Sequence, residues 1–253
     1  MKTTTYKHSG NAGDIIYSIP FIRDSNLNTY KVFYLNINVP STFTPKNHPV
    51  GEVMLNLKMA EMLRPLLLKV VDEVEIIENS KIEVDYDLDI FRETYFNLSS
   101  GNISLWNQIE YPQVRPNLIV KRLFVEPIEN NFIIVNRTSR YNNLFIDYSF
   151  LKDYPNVYFV GVDSEFKQLK LHNPNIQNLI VKDFLEMAQY IAGCKLFIGN
   201  QSMAFAIAEQ LKVKRVLEQY IKAPNVIPCG GEYYVFHTNE QLKSIFKNHL
   251  NNL

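Results

Sequence analysis

The sequence predicts an α/β protein made of two successive parallel-sheet units that face each other across a cleft. Three observations lead there. Strand-like and helix-like hydrophobic periods alternate along the chain, several strands are short unbroken apolar runs, and a proline-marked stretch interrupts the pattern near the middle of the 253 residues.

In the first unit, residues 3–8 read as a strand, Asp14 to Asp24 as a helix, and 31–37 (KVFYLNI) as a second strand. An irregular run over 41–49 leads into a long amphipathic helix at 51–70. Pro65 should kink that helix, because it lacks an N–H and crowds the carbonyl four residues back. Short strands follow near 73–78 and 84–90. From Asn97 to Pro127 the period fades while Pro112, Pro116 and Pro127 accumulate, which marks a linker and divides the chain into units 1–127 and 128–253.

The second unit is more regular. Strands are expected at 132–136, 157–161, 178–181, 195–199, 213–218 and 232–236, and helices at 147–153, 163–171, 183–193, 202–211 and 239–250. Asn239 is placed to cap the last helix, which is free to pack back on the first unit.

Composition narrows the function classes. With 26 basic and 26 acidic residues and no dense basic run, the chain has no field to hold duplex nucleic acid. Its apolar windows are broken by Arg64, Lys69 and Lys195, so no transmembrane segment is expected, and residues 1–20 lack a signal-peptide pattern. Cys194 and Cys229 form no CxxC pair, which reads as a reduced cytoplasmic protein.

Ligands of open α/β sheets bind where strands run into helix N-termini. The first such junction is HSGNAGD at 8–14, in which Gly10, Asn11 and Gly13 allow a tight turn and close backbone approach. Asp14 there has two readings, a helix cap or a general base on an acceptor hydroxyl. The second is Gly199, Asn200, Gln201 and Ser202, where a buried strand meets an Ala-rich helix; it reads either as an ordinary turn that binds nothing or as a site whose first helical N–H groups suit a diphosphate. A third follows residue 136, where Arg137 and Arg140 with Thr138 and Ser139 can clamp a phosphate or simply be solvated. Asp85, Asp87 and Asp89 lie on one face of a strand, either as an acidic solvent face or as ligands for Mg or Mn. The aromatics around Tyr141, Phe145, Tyr148, Phe150 and Tyr154 read as packing, with sugar stacking as the alternative.

In this order the pieces resemble a known family. GDIIYSIP at 13–20 resembles the amino-terminal motif of the heptosyltransferase-like glycosyltransferases, glycosyltransferase family 9, and residues 187–209 resemble that family's nucleotide-sugar motif. The resemblance implies a GT-B fold, two Rossmann-like domains around a central cleft, here reduced in size. It implies a metal-independent glycosyltransferase with no cofactor, a nucleotide-sugar donor held by the second domain and a saccharide acceptor on the first. Asp14 would then match the family's general base. Gly199, Asn200, Gln201 and Ser202 would match the donor-phosphate turn, with Thr138, Ser139 and Arg140 near the donor phosphates and Glu218 near the base or ribose. The family's turn carries an Asp and, one helical turn on, a His; Asn200, Met203 and Phe205 occupy that region here, which leaves the donor sugar open and makes a non-catalytic binding module the competing expectation.

Overall fold

The computed structural model describes residues 2–41, 51–93 and 99–249. The irregular run predicted at 41–49 therefore lies, apart from its first residue, outside the described residues.

Four strands form the first sheet: Thr3–His8 (β1), Tyr30–Ile37 (β2), Glu73–Glu78 (β3) and Tyr86–Asp87 (β4). They are all parallel, in the order β3-β2-β1-β4. β1 buries Thr4, Tyr6 and His8 with strict period two, so its alternate side chains enter the core. The strand predicted at 84–90 contracts to the two residues of β4.

The helix predicted over 14–24 is two short helices, Ala12–Tyr17 (α1) and Ile19–Asp24 (α2), joined at Ser18. Pro20 is the reason: it has no N–H to continue α1 and is well suited to the first turn of a new helix. The helix predicted over 51–70 is Leu57–Leu67 (α3), started by Asn56, whose side chain accepts from Met59 N at 3.0 Å. Pro65 falls in its last turn, where it removes the bond to the carbonyl four residues back, and the helix ends two residues later.

The second sheet has six parallel strands: Ile133–Asn136 (β5), Val157–Phe159 (β6), Gln177–Asn178 (β7), Leu196–Asn200 (β8), Arg215–Glu218 (β9) and Tyr233–Phe236 (β10). Their order is β10-β9-β8-β5-β6-β7, the doubly wound arrangement with its reversal between β5 and β8. Every residue of β5, β8 and β9 is buried, as expected of strands covered on both faces.

Helices Asp163–His172 (α4), Phe184–Gly193 (α5), Met203–Leu211 (α6) and Asn239–His249 (α7) complete the unit. The helix predicted at 147–153 is a 3₁₀ turn, Ser149–Asp153. Thr238, rather than Asn239, starts α7: its Oγ1 accepts from Gln241 N at 3.2 Å, while Asn239 Nδ2 donates to the Phe145 carbonyl. α7 lies on the second sheet, where Leu242 and Phe246 pack with Leu151, Phe159 and Phe236.

The largest core runs through both units. α1 packs on α6 and α3 on α5, joining Ile15, Ile16 and Leu63 to Ala188, Ile191, Ala204 and Phe205 in one cluster. α6 is buried on every side from Ala204 to Leu211, which explains its uniformly apolar, Ala-rich sequence. The proline-marked stretch is a strap stitched to the second unit. Ile103, Val114 and Leu123 are buried, Asn102 bridges Val226, and the Arg122 and Leu123 amides donate to the Gln210 carbonyl.

Candidate functional site

In the first sheet the strand order reverses between β1 and β4, in the second between β5 and β8. Both predicted junctions sit at the carboxyl ends of these pairs.

Asn11 is the N-cap residue of α1 but makes no side-chain cap bond, and its Oδ1 is buried without a partner. Asp14, the third residue of α1, is not a cap either. Its Oδ2 accepts from Arg92 Nη2 at 2.7 Å. Arg92 also grips Asp89 through Nη1. Asp89 Oδ2 in turn accepts from Ser9 N and Oγ, each at 2.7 Å, and its Oδ1 lies 2.9 Å from His8 Nδ1. Burial alone would push the Asp89 carboxyl up; His8 and Arg92, with the bonds from His8 and Ser9, outweigh it and hold the group well below the usual carboxylate range. Gly10 makes room for this cluster, because a Cβ there would come 2.2 Å from Arg92 Nη2 and 2.6 Å from His8 Cε1.

The acidic run belongs to the same edge. β4 pairs with β1 so that Asp87 stands opposite Lys7, and each of the three alternating carboxylates meets a donor on β1 or just after it. Asp85 accepts from Thr5 N at 2.8 Å, Asp87 from Lys7 Nζ at 2.6 Å, and Asp89 from Ser9. The three carboxylates share a face, as predicted, but are strung along β1 instead of converging on a point. Among the described residues no group of three or more His, Cys, Asp or Glu is placed to hold a metal ion.

The second junction is held as firmly. A Cβ on Gly199 would lie 2.7 Å from the Asn136 carbonyl oxygen, so glycine lets β5 and β8 close up. Ser202 caps α6, its Oγ accepting from Phe205 N at 3.2 Å. Asn200 is fully buried and uses both ends of its amide. Oδ1 accepts from Thr138 N at 2.9 Å, and Nδ2 donates to the Thr138 and Tyr141 carbonyls at 2.8 and 2.9 Å. Gln201 Nε2 donates to the Ala223 carbonyl, and its Oε1 accepts from Tyr220 N at 2.8 Å. Glu218, also fully buried, pairs with Arg137 Nε at 2.8 Å and accepts from Asn143 N. Ser139 N donates to Glu165 at 2.9 Å. These side chains hold the loops after β5 and β9. What they frame is the first turn of α6, where the Met203 and Ala204 amides have no intrahelical partner, and Arg140, whose guanidinium lies 5.5 Å over the Tyr141 ring.

The two junctions meet. A Cβ on Gly13 would lie 3.6 Å from Met203 Cα, ordinary contact with the start of α6. Burial raises the Tyr141 hydroxyl, the Arg140 charge opposes it, and the Asp14 charge adds to the rise, so all three groups share one electrostatic neighbourhood. Beside the same loop opens a cavity of about 300 Å³, lined by Arg137, Thr138, Ser139, Glu165 and His172 among others. Burial also raises the Glu165 carboxyl, against the pull of the Ser139 bonds and Arg140.

Sequence reasoning missed Arg92 and Glu165. Arg92 sits in no motif, and only the β1/β4 register brings it to Asp14. Glu165 carried a usable signal, since it stands in the first turn of the helix that follows β6, one more strand-to-helix junction. Of the predicted aromatics, Tyr148 is buried, Phe150 and Tyr154 pack on Phe246, and Phe145 is exposed. Tyr141 alone of that group turns to the site.

No protein-family model matches the chain, and no curated protein matches it. Solved structures do. A glycosyl transferase family 9 protein from Veillonella parvula DSM 2008 superposes with TM-score 0.55 at 10% identity, covering 100% of this chain and 90% of that one. The ADP-heptose LPS heptosyltransferase II of E. coli gives 0.58 at 12% identity, covering 93% and 90%. E. coli heptosyltransferase WaaC with ADP-2-deoxy-2-fluoro heptose gives 0.55 at 11%, covering 97% and 99%. The likeness establishes a GT-B-like fold with two parallel sheets. Among the described residues no helix is long and apolar enough to cross a membrane.

Proposed function

We propose that the protein is a metal-independent glycosyltransferase of the cytoplasm, moving a sugar from a nucleotide-sugar donor to a saccharide or glycoconjugate acceptor. The observation that carries the reading is the contact of Gly13 with Met203. It sets the carboxylate-bearing start of α1 against the free amides at the start of α6.

Asp14 takes the proton of the acceptor hydroxyl as that oxygen bonds to the anomeric carbon. The bond from that carbon to the diphosphate breaks, and the nucleoside diphosphate leaves with the electron pair. The α6 amides and Arg140 face the charge that develops, so its stabilisation is built in before reaction. The cavity lined by Arg137, Thr138, Ser139 and Glu165 takes the nucleoside, a volume of about 300 Å³ being within the range of small-ligand sites. No metal step is needed in this scheme, and the carboxylates of the 85–89 run serve β1.

A second reading, a nucleotide-sugar-binding module without transfer activity, has its own support: Asn200, Gln201 and Glu218 are engaged within the chain. A thermal-shift screen of nucleoside diphosphates and their sugar conjugates, followed by Asp14→Asn, separates the two. Stabilisation by a conjugate that the wild type consumes and Asp14→Asn does not is the expected result. Binding without turnover selects the module, and no shift with any of them removes the donor site altogether.

A further inference from the structure

We propose that Tyr141 and Tyr220 form the surface that holds the donor's sugar ring beside Asp14, an inference that rests on the nucleotide-sugar reading above. The two rings meet edge to face, with centroids 5.8 Å apart and planes at 61°. Both are half-buried and stand on loops leaving the carboxyl edge of the second sheet. A half-buried aromatic ring offers an apolar surface to the C–H face of a pyranose, while its hydroxyl stays polar.

Their placement explains what the two amides of the donor turn do. Asn200 Nδ2 holds the Tyr141 carbonyl at 2.9 Å, and Gln201 Oε1 holds the Tyr220 amide at 2.8 Å. Two adjacent residues at the end of β8 thus fix the two rings relative to each other and to the start of α6. Arg140 lies over Tyr141 at 5.5 Å, so the cation suited to the diphosphate and the ring suited to the sugar are one unit. Buried polar side chains that hold loops by backbone bonds give such a surface a defined geometry, the precondition for discriminating one ring from another. Asn200 and Gln201 are positioning residues in this scheme, and the tyrosines make the contact.

Calorimetric titration of wild type, Tyr141→Leu, Tyr220→Leu and Tyr141→Phe with ADP, UDP and GDP and with their hexose conjugates tests it. Wild type should bind at least one conjugate more tightly than its parent diphosphate. Either leucine variant, which keeps apolar bulk but loses the ring face, should weaken that conjugate about tenfold, ~1.4 kcal/mol, and the parent by less than about twofold. Tyr141→Phe should retain the preference. Equal losses for conjugate and parent would mean the rings merely support the loop, and no loss for either would mean that they touch nothing; each overturns the proposal while leaving the nucleotide site intact. Should wild type bind no diphosphate and no conjugate, the nucleotide-sugar reading itself fails and takes this one with it.

Discussion

Arg92 Nη2 donates to Asp14 Oδ2 at 2.7 Å across 78 positions of sequence. The same guanidinium holds Asp89 with its other terminal nitrogen, and Asp89 is fixed by His8 and Ser9. Asp14 is therefore oriented by the edge of the first sheet, not by its own helix.

Arg92→Ala should leave Asp14 unoriented. The transfer rate falls by about 10–100-fold, ~1.4–2.8 kcal/mol in the barrier, while the donor's dissociation constant is unchanged. Arg92→Lys should recover only part of the loss, because one ammonium cannot span two carboxylates as a fork does. Steady-state kinetics beside donor titrations check both.

Acid should loosen the same cluster. The Asp89 carboxyl is held below its unfolded value, so the stability it contributes is present above about pH 4, the ordinary aspartate range, and is lost as pH falls through the depressed folded value. Melting temperatures followed from pH 7 down to about 3 should drop less steeply in Asp89→Asn than in wild type.

Asn200→Asp would give the turn the acid found in the family it resembles, yet here it should fail. Asn200 Nδ2 donates to two carbonyls in a fully buried site, and a carboxylate would face both with an acceptor. A loss of about 3 kcal/mol or more is expected from an unpaired buried charge set against acceptors. Urea unfolding measures it, and activity should fall with it.

Arg137→Ala strands the fully buried Glu218 and should cost about 3–5 kcal/mol. Glu218→Leu in that background should restore part of the loss, since the pair is then removed from both sides. A double-mutant cycle by urea unfolding gives the coupling, and additive losses would show that the pair is unimportant.

The alternation of periods in the chain was enough to specify two parallel α/β units, because strands buried on both faces leave short unbroken apolar runs, half-buried strands mark every second residue, and helices every third to fourth. It also marked the two junctions, since glycine, a small polar residue and a helix start must be adjacent in sequence. The 14–24 segment splits into two helices at Pro20, a local signal that lies in the sequence itself. The strap at 99–127 has no period because its bonds go to residues such as Gln210 and Asn225, far along the chain.

What tertiary structure alone decided is the use of each polar side chain. Asn200, Gln201 and Glu218 look alike, in sequence, whether they face a ligand or a loop. Their partners Tyr141, Tyr220 and Arg137 come from loops whose approach depends on sheet order. Arg92 reaches Asp14 for the same reason: β4 lies beside β1, and strand register, unlike helix or turn chemistry, is a pairing between distant segments that no local pattern records.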